Sequence, residues 1–282
     1  MNYRHAYHAG NFADVLKHVV LARLITYLQR KDKAFRVVDT HAGIGRYNLK
    51  GIEAGKTAEW QAGIGRFMAD QPTGAVKDLL QPYRSVIEHL NPDGELMAYP
   101  GSPLLARALF RKQDRLTATE LHPEDYETLS GHFTDDYQAR IVHLDGWLAL
   151  GSFVPVKEKR GLVLVDPPFE SRDEFSNLAD GFIKAHRRWP NGVYMLWYPV
   201  KDRAQIRRFH ETLKRSEIKR LLAVELSVKP LSGRDVFAGS GLVIANPPWN
   251  LGEELSILLP YLKTLLAQDN GASWTVTELA GE

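Results

Sequence analysis

Apolar residues recur in two rhythms along this chain. From residue 12 to 30, Val15, Val19, Ala22, Ile25 and Leu28 return at three- and four-residue steps behind Asn11, which predicts an N-capped helix. Elsewhere the apolar residues come as short runs that stop at an acid. Residues 34–39 end in Asp39, 116–120 in Glu120, 139–145 in Asp145 followed by Gly146, and 161–165 stop at Asp166-Pro167-Pro168-Phe169. The run Gly161-Leu-Val-Leu-Val is that of a strand buried on both faces of a parallel sheet, and the prolines behind Asp166 cannot donate to a ladder. Residues 192–199 predict a fifth strand, 201–214 a basic helix, and 219–228 with 241–246 an antiparallel sixth and seventh. A helix over 253–266 and a tail close the chain.

Strands alternating with helices predict an α/β fold of the Rossmann-like kind, with a mixed seven-stranded sheet. One spacing departs from that pattern. The acid ending the second strand normally stands about 20 residues past the glycine turn that follows the first; here 120 − 39 = 81, so roughly 60 residues are inserted. They predict helices over 57–68 and 75–90. A further helix over 102–111, begun by Ser102 with Pro103 at its first position, feeds the second strand. Residues 1–282 then form a single domain, with approximately 50–100 as a small helical subdomain between strands 1 and 2. No internal repeat or low-complexity linker interrupts it.

The strand ends carry the candidate chemistry, because open α/β sheets place ligands at the carboxyl edge of their strands. Asp39 runs into Gly43-Ile-Gly45, where glycines let a backbone approach a ligand. Asn48 stands where a dinucleotide fingerprint needs its third glycine, which disfavours a nicotinamide dehydrogenase. Asp166-Pro167-Pro168-Phe169 resembles motif IV of the S-adenosylmethionine-dependent amino-methyltransferases. An exocyclic base amine is a poor nucleophile, since its lone pair is delocalised into the ring. A carboxylate and the Pro167 carbonyl accepting its two N–H bonds favour the attacking geometry, and the Phe169 ring holds a flipped base flat. With that chemistry, Glu120 suits a ribose diol and Asp145 the adenine amine of the cofactor. Asn246-Pro247-Pro248-Trp249 also fits the loose pattern, but it ends the last strand instead of the fourth and is a decoy.

Composition narrows the class without choosing within it. A hydrophobic share of 44% allows a sizeable core, and a net charge of +2 permits a nucleic-acid partner without requiring one. The absence of cysteine excludes disulfides, thiolate metal sites and a Cys nucleophile, and fits a reducing cytoplasm. The first residues carry His and Asp where a signal peptide needs an apolar run. The longest apolar stretches, 19–28 and 257–266, are interrupted by Arg23 or by Pro260 and Lys263, so no membrane span is expected.

Taken in order, Tyr3-Arg4-His5, His8-Ala-Gly-Asn11, Asp14-Val-Leu-Lys17-His18, Asp39-Thr-His-Ala-Gly43, Tyr99-Pro-Gly-Ser102-Pro, Thr119-Glu-Leu-His-Pro123, Asp145-Gly146 and Asp166-Pro-Pro-Phe169 resemble the RlmJ family over nearly the whole chain. These are bacterial 23S ribosomal RNA adenine-N(6)-methyltransferases. The resemblance implies a class I methyltransferase fold, S-adenosyl-L-methionine as donor with S-adenosyl-L-homocysteine as product, no metal, and one adenine of 23S rRNA as target. It further implies that His18, His41, Gly43, Ser102, Glu120, Asp145, Gly146 and Asp166 touch the cofactor, with Asp166, Pro167 and Phe169 at the acceptor amine. Tyr3, His5 and Lys17 would face the RNA, with the N-terminal segment as a lid. Phe169 departs from the family's Tyr but keeps the stacking face. A cytoplasmic monomer is expected. The rival readings are a DNA adenine methyltransferase, for which roughly 60 inserted residues are few for a recognition domain, and a non-catalytic nucleic-acid-binding protein, which would not need acids at four strand ends.

Overall fold

A computed structural model gives the fold, and the structure describes residues 5–171, 173–231 and 236–281. The first helix, α1 (Phe12–Gln29), begins where the Asn11 side chain accepts from the Ala13 and Asp14 amides at 2.9 and 3.2 Å. It is buried on nearly all sides, because it runs between the sheet and the inserted helices.

β1 (Arg36–Asp39) passes through the glycine turn to β2 (Arg46–Asn48), α2 (Ile52–Thr57), a π-helical turn (Gln61–Gly65), α3 (Arg66–Ala69), α4 (Gly74–Leu90) and β3 (Ala98–Pro100). Then α5 (Ser102–Ala108) leads to β4 (Arg115–Glu120), α6 (Pro123–His132) to β5 (Ala139–His143), and α7 (Gly146–Ser152) to β6 (Gly161–Val165). After α8 (Glu174–Arg188) come β7 (Val193–Val200), α9 (Arg203–Arg215), β8 (Leu221–Ser227), β9 (Gly239–Ala245), α10 (Leu251–Leu266) and β10 (Ser273–Ala280).

The main sheet has the order β10-β8-β9-β7-β6-β1-β4-β5, parallel from β5 to β7 and antiparallel beyond. The four strands whose ends carry the acids, β6, β1, β4 and β5, are consecutive neighbours. One core lies beneath α1, α4, α5 and α10, the other beneath α8 and α9.

Three details differ from the sequence reading. The sheet has eight strands, not seven: residues 273–280, taken for a tail, form β10 antiparallel to β8. As an edge strand it is mostly exposed and carries almost no apolar signal. The helix expected over 57–68 is broken, because Gly63 leaves helical geometry (φ −105, ψ −105) where its Cα meets the backbone of α1's start. A Cβ there would stand 2.2 Å from the Gly10 carbonyl, which instead accepts from Ile64 N–H at 2.8 Å. The third is the small β2–β3 ladder, too short to leave a pattern.

The Asn246 turn lies where chain order put it. β9 is antiparallel to β7 with Ala245 opposite Tyr194, so Asn246 emerges at the amino-terminal edge of the parallel strands, away from Asp166.

Candidate active site

A cleft of about 600 Å³ opens at the carboxyl edge of β6, β1, β4 and β5, a size usual for a small-molecule site. Glu120, Asp145 and Asp166 line it, and Asp39 lies buried at its floor. The Gly43 N–H donates to Glu120 Oε2 at 2.9 Å, while the Leu121 and His122 N–H groups donate to Oε1 at 2.8 and 2.9 Å. The carboxylate is thereby fixed with lone-pair capacity left over for a hydroxyl. Gly43 itself has φ +62, and a Cβ on it would stand 2.3 Å from the Tyr47 hydroxyl. Asp145 caps α7 through Oδ1, accepting from Trp147 and Leu148 N–H at 2.9 and 3.1 Å, so Oδ2 has no donor among the described residues. Gly146 is required by close approach: a Cβ would lie 2.4 Å from the Thr40 carbonyl and 2.5 Å from His41 Nε2.

A buried histidine, His18, and a half-buried one, His41, flank this floor. His18 Nδ1 stands 2.6 Å from the Tyr99 hydroxyl, which is 2.9 Å from that of Tyr83. Burial pushes His18 down to about 3 and holds the Tyr99 phenol well above its usual range, so a protonated phenol faces a neutral imidazole. Either the phenol donates to Nδ1 or Nδ1–H donates to the phenol, and Nε2 has no hydrogen-bond partner among the described residues. His41 is pushed down by burial to about 4. Because the Thr40 hydroxyl donates to the Leu164 carbonyl at 3.0 Å, it must accept from His41 Nδ1–H at 2.9 Å, which leaves Nε2 as an acceptor beside Gly146. Asp39 is pushed up to about 7, chiefly by burial and further by the charge of Asp166, against the pull of the Ser102 hydroxyl. Its Oδ1 accepts from the His41 N–H at 3.4 Å, and its Oδ2 has no donor among the described residues. A buried carboxylate with one oxygen unpartnered, beside a second carboxylate, makes a place that favours a cation.

At the other end, Asp166 Oδ2 receives Lys17 Nζ at 2.5 Å, and Lys17 also pairs with Asp14 Oδ1 at 2.8 Å. Asp14 Oδ2 accepts from the Gly10 N–H at 2.8 Å and meets His5 Nε2 at 2.9 Å. Burial opposes the ammonium, but Asp14 and Asp166 outweigh it and hold Lys17 well above its ordinary range. The sequence grouped Lys17 with RNA-facing residues. It lines the cleft with its side chain 5% exposed and engaged by two carboxylates, since α1 is buried on nearly all sides. Tyr3 lies outside the described residues. His5 lies on the cleft wall, edge-on to Tyr47 at 5.2 Å, and the segment behind it is tied to the insertion by His8–Glu59 and Asn11–Glu59 bonds of 3.1 and 3.0 Å.

Phe169 adopts φ +52, a left-handed backbone that costs about 1 kcal/mol and turns its ring into the cleft. Phe175 and Trp197 hold that ring edge-on at 4.9 and 5.6 Å. Trp197, whose indole N–H donates to Ser240 Oγ at 2.9 Å, and Pro199 extend the wall; neither was foreseen, because both sit in a continuous apolar run that reads as core. Asp39, Gly43, Ser102, Glu120, Asp145, Gly146, Asp166, Pro167 and Phe169, with His18 and His41, are thus brought to one cleft or its floor.

The comparisons with known proteins agree in their kind. The family described as Ribosomal RNA large subunit methyltransferase D, RlmJ, matches residues 32–278. Two curated relatives, from Escherichia coli (strain K12) and Haemophilus influenzae, are each named Ribosomal RNA large subunit methyltransferase J. Each is 41% identical to this chain, with 100% of both chains covered. A crystal structure of a protein from Legionella pneumophila superposes with a TM-score of 0.86 at 34% identity, covering 96% of this chain and 98% of that one. With a family match running from before β1 into β10 and relatives aligned from end to end, this chain belongs to the RlmJ family of ribosomal RNA large subunit methyltransferases.

Proposed function

We propose that this protein transfers the methyl group of S-adenosyl-L-methionine to the exocyclic N6 amine of one adenine in 23S rRNA. The observation that carries this is the joining, in one cleft, of a carboxylate on a proline turn beside a held aromatic ring with a cofactor-shaped set of donors and acceptors. That set matches the donor's functional groups in kind. The remaining capacity of Glu120 suits a ribose diol, Asp145 Oδ2 an adenine amine, and the unpartnered His18 Nε2 and Ser102 an amino-acid moiety. Asp39 and Asp166 supply the negative potential that a sulfonium favours. When bound, S-adenosyl-L-methionine supplies an electrophilic methyl on positively charged sulfur, so the reaction calls for no metal.

The protein's own part is positioning and charge. Asp166 and the Pro167 carbonyl accept the two N–H bonds of the target amine and turn its lone pair toward the methyl. Lys17 holds the Asp166 carboxylate in place. Phe169, braced by Phe175 and Trp197, presents a face on which the flipped adenine stacks. The reading takes 1–282 as one catalytic unit, a cytoplasmic monomer whose insertion (approximately 50–100) and N-terminal residues from His5 onward wall the cleft, with His5 and Tyr3 assigned to the RNA by the family resemblance. No helix among the described residues is long and apolar enough to cross a membrane.

The test is methyl transfer from labelled donor to protein-free 23S rRNA, with duplex DNA alongside. Label appearing as N6-methyladenine in the RNA, and an Asp166→Ala protein that still binds donor but transfers roughly 10³-fold or more slowly, is the expected result. Equal or preferred transfer to DNA, or full turnover by Asp166→Ala, overturns it.

A further inference from the structure

A second concavity lies outside the cleft, on the flank of the sheet between α9 and the edge strand β10. It is a shallow groove of about 440 Å³. Its helix wall is made by Arg203, Arg207, His210 and Lys214, spaced 4, 3 and 4 residues apart and hence on one face of α9. Its floor and far wall carry Thr275 and Thr277 of β10, which pair with Glu225 and Ala223 of β8. The chain passes directly from cleft to groove, whose nearest lining residues, Lys201 and Arg203, are two positions apart. α9 starts directly after β7, whose last residues include the cleft-lining Pro199. Lys201 between them lines the cleft, its ammonium 5.4 Å from the Phe237 ring. From Arg203 to Lys214 the stripe runs about 16 Å back along the sheet.

The charges in this groove are not balanced. Glu225 is buried and engaged by Arg203 and by the Tyr198 hydroxyl at 3.1 Å, and Glu211 stands on the rim. Arg207 and Lys214 are exposed and make no ion pair or hydrogen bond among the described residues. An amphipathic helix is expected to turn cations outward, as Arg208 and Arg215 are placed. Nothing in packing requires two more to face a concave step, where Glu211 on the rim offsets one of them and an anion would balance the other. A guanidinium fork, an ammonium and two threonine hydroxyls along one track are donors suited to successive phosphates.

We infer that the α9–β10 groove binds the sugar-phosphate backbone of the single-stranded RNA flanking the target adenine, which leaves the cleft over Lys201 and runs along Arg203, Arg207 and Lys214. This rests on RNA being the substrate, and it names where the strand goes.

The experiment compares Arg207→Ala/Lys214→Ala with an outward-facing control, Arg208→Ala/Arg215→Ala. Binding is read by fluorescence anisotropy on a labelled single-stranded RNA of about 20 nucleotides and on a trinucleotide, over a salt series. Transfer is read on protein-free 23S rRNA. For the groove pair, affinity for the longer RNA should fall about tenfold, and the slope of log K against log salt should lose about 1.4, or 0.7 for each phosphate contact. The trinucleotide should bind as to wild type, and on rRNA the KM should rise while kcat and donor affinity stay within twofold. The control pair should leave the 20-nucleotide slope nearly unchanged. Equal slope losses from both pairs, no loss from either, or the same loss on the trinucleotide would overturn the groove assignment. Failure of wild-type protein to methylate any RNA would sink the methyltransferase reading, while the anisotropy series would still decide the groove. An acidic peptide or a second copy of the chain as true occupant would show as RNA slopes that do not respond to the groove pair.

Discussion

Lys17→Met tests the charge architecture of the site most directly. The substitution keeps an unbranched apolar stem of similar length and removes only the ammonium, leaving Asp14 and Asp166 facing each other with side chains 2% and 14% exposed. Removing one partner of a buried pair costs about 3–5 kcal/mol, because the stranded charge keeps its desolvation penalty. The lower end applies here, since Asp14 retains the Gly10 N–H and His5. At roughly 2–4 °C per kcal/mol for a chain of this size, about 3 kcal/mol corresponds to a fall in Tm of roughly 6–12 °C. The pH dependence follows from the shift directions. Lys17 is raised above its ordinary value of 10.5, so its contribution is fully present below that pH and constant over any practical assay. Asp14 resists burial's upward push because His5 and Lys17 hold it well below 3.8; its contribution is present above that pH and is lost as pH falls through its folded value. Without Lys17 that depression shrinks, and the stranded carboxylates can neutralise by taking up protons. The Tm gap between wild type and variant should therefore be widest near pH 7 and close toward pH 4. Thermal melts across that range, with donor titrations beside them, measure it. A gap that is flat with pH, or a variant as stable as wild type at pH 7, would refute the assigned role.

Three shorter predictions bear on the cofactor end. Gly43→Ala should weaken donor binding at least tenfold by calorimetry, as the new Cβ meets both a left-handed backbone and the Tyr47 hydroxyl at 2.3 Å; in a Tyr47→Phe background the steric part disappears, so part of the affinity should return. Tyr99→Phe removes the hydrogen-bond partner that holds the His18 ring and should cost about 1–2 kcal/mol of methyl-donor affinity, roughly tenfold in Kd, with kcat at saturation little changed. For Asp39, burial raises the folded value to about 7 from 3.8, so the neutral carboxyl's stability is full below 3.8, is lost as pH rises to about 7, and stays lost above. Asp39→Asn should accordingly raise the Tm of donor-free protein at pH 8 but not at pH 4, while weakening donor binding; equal effects at both pH values would contradict the shift.

What could be read from the sequence was whatever leaves a one-dimensional trace. Apolar runs halted by acids located β1, β4, β5 and β6, and the order of those acids separated Asp166 from Asn246 before any coordinates, a distinction the antiparallel pairing of β9 with β7 makes physical. The traces fail where function depends on the environment of a residue rather than its type. Asp14-x-x-Lys17 looks like any surface i, i+3 pair, and only the burial of α1 beneath the insertion turns it into the clamp on Asp166. Trp197 and Pro199 are indistinguishable from core in the run 193–200, because β7 outlasts its neighbour β6 and carries its final residues, still paired with β9, past the end of β6 into the cleft wall. The same overhang places Lys201 on the cleft and starts α9 at its rim, so one strand's extra length both finishes the acceptor wall and aims the basic helix. A shortened β7 would separate these two features, which makes strand length, a quantity no motif records, the variable that joins the site to its basic flank.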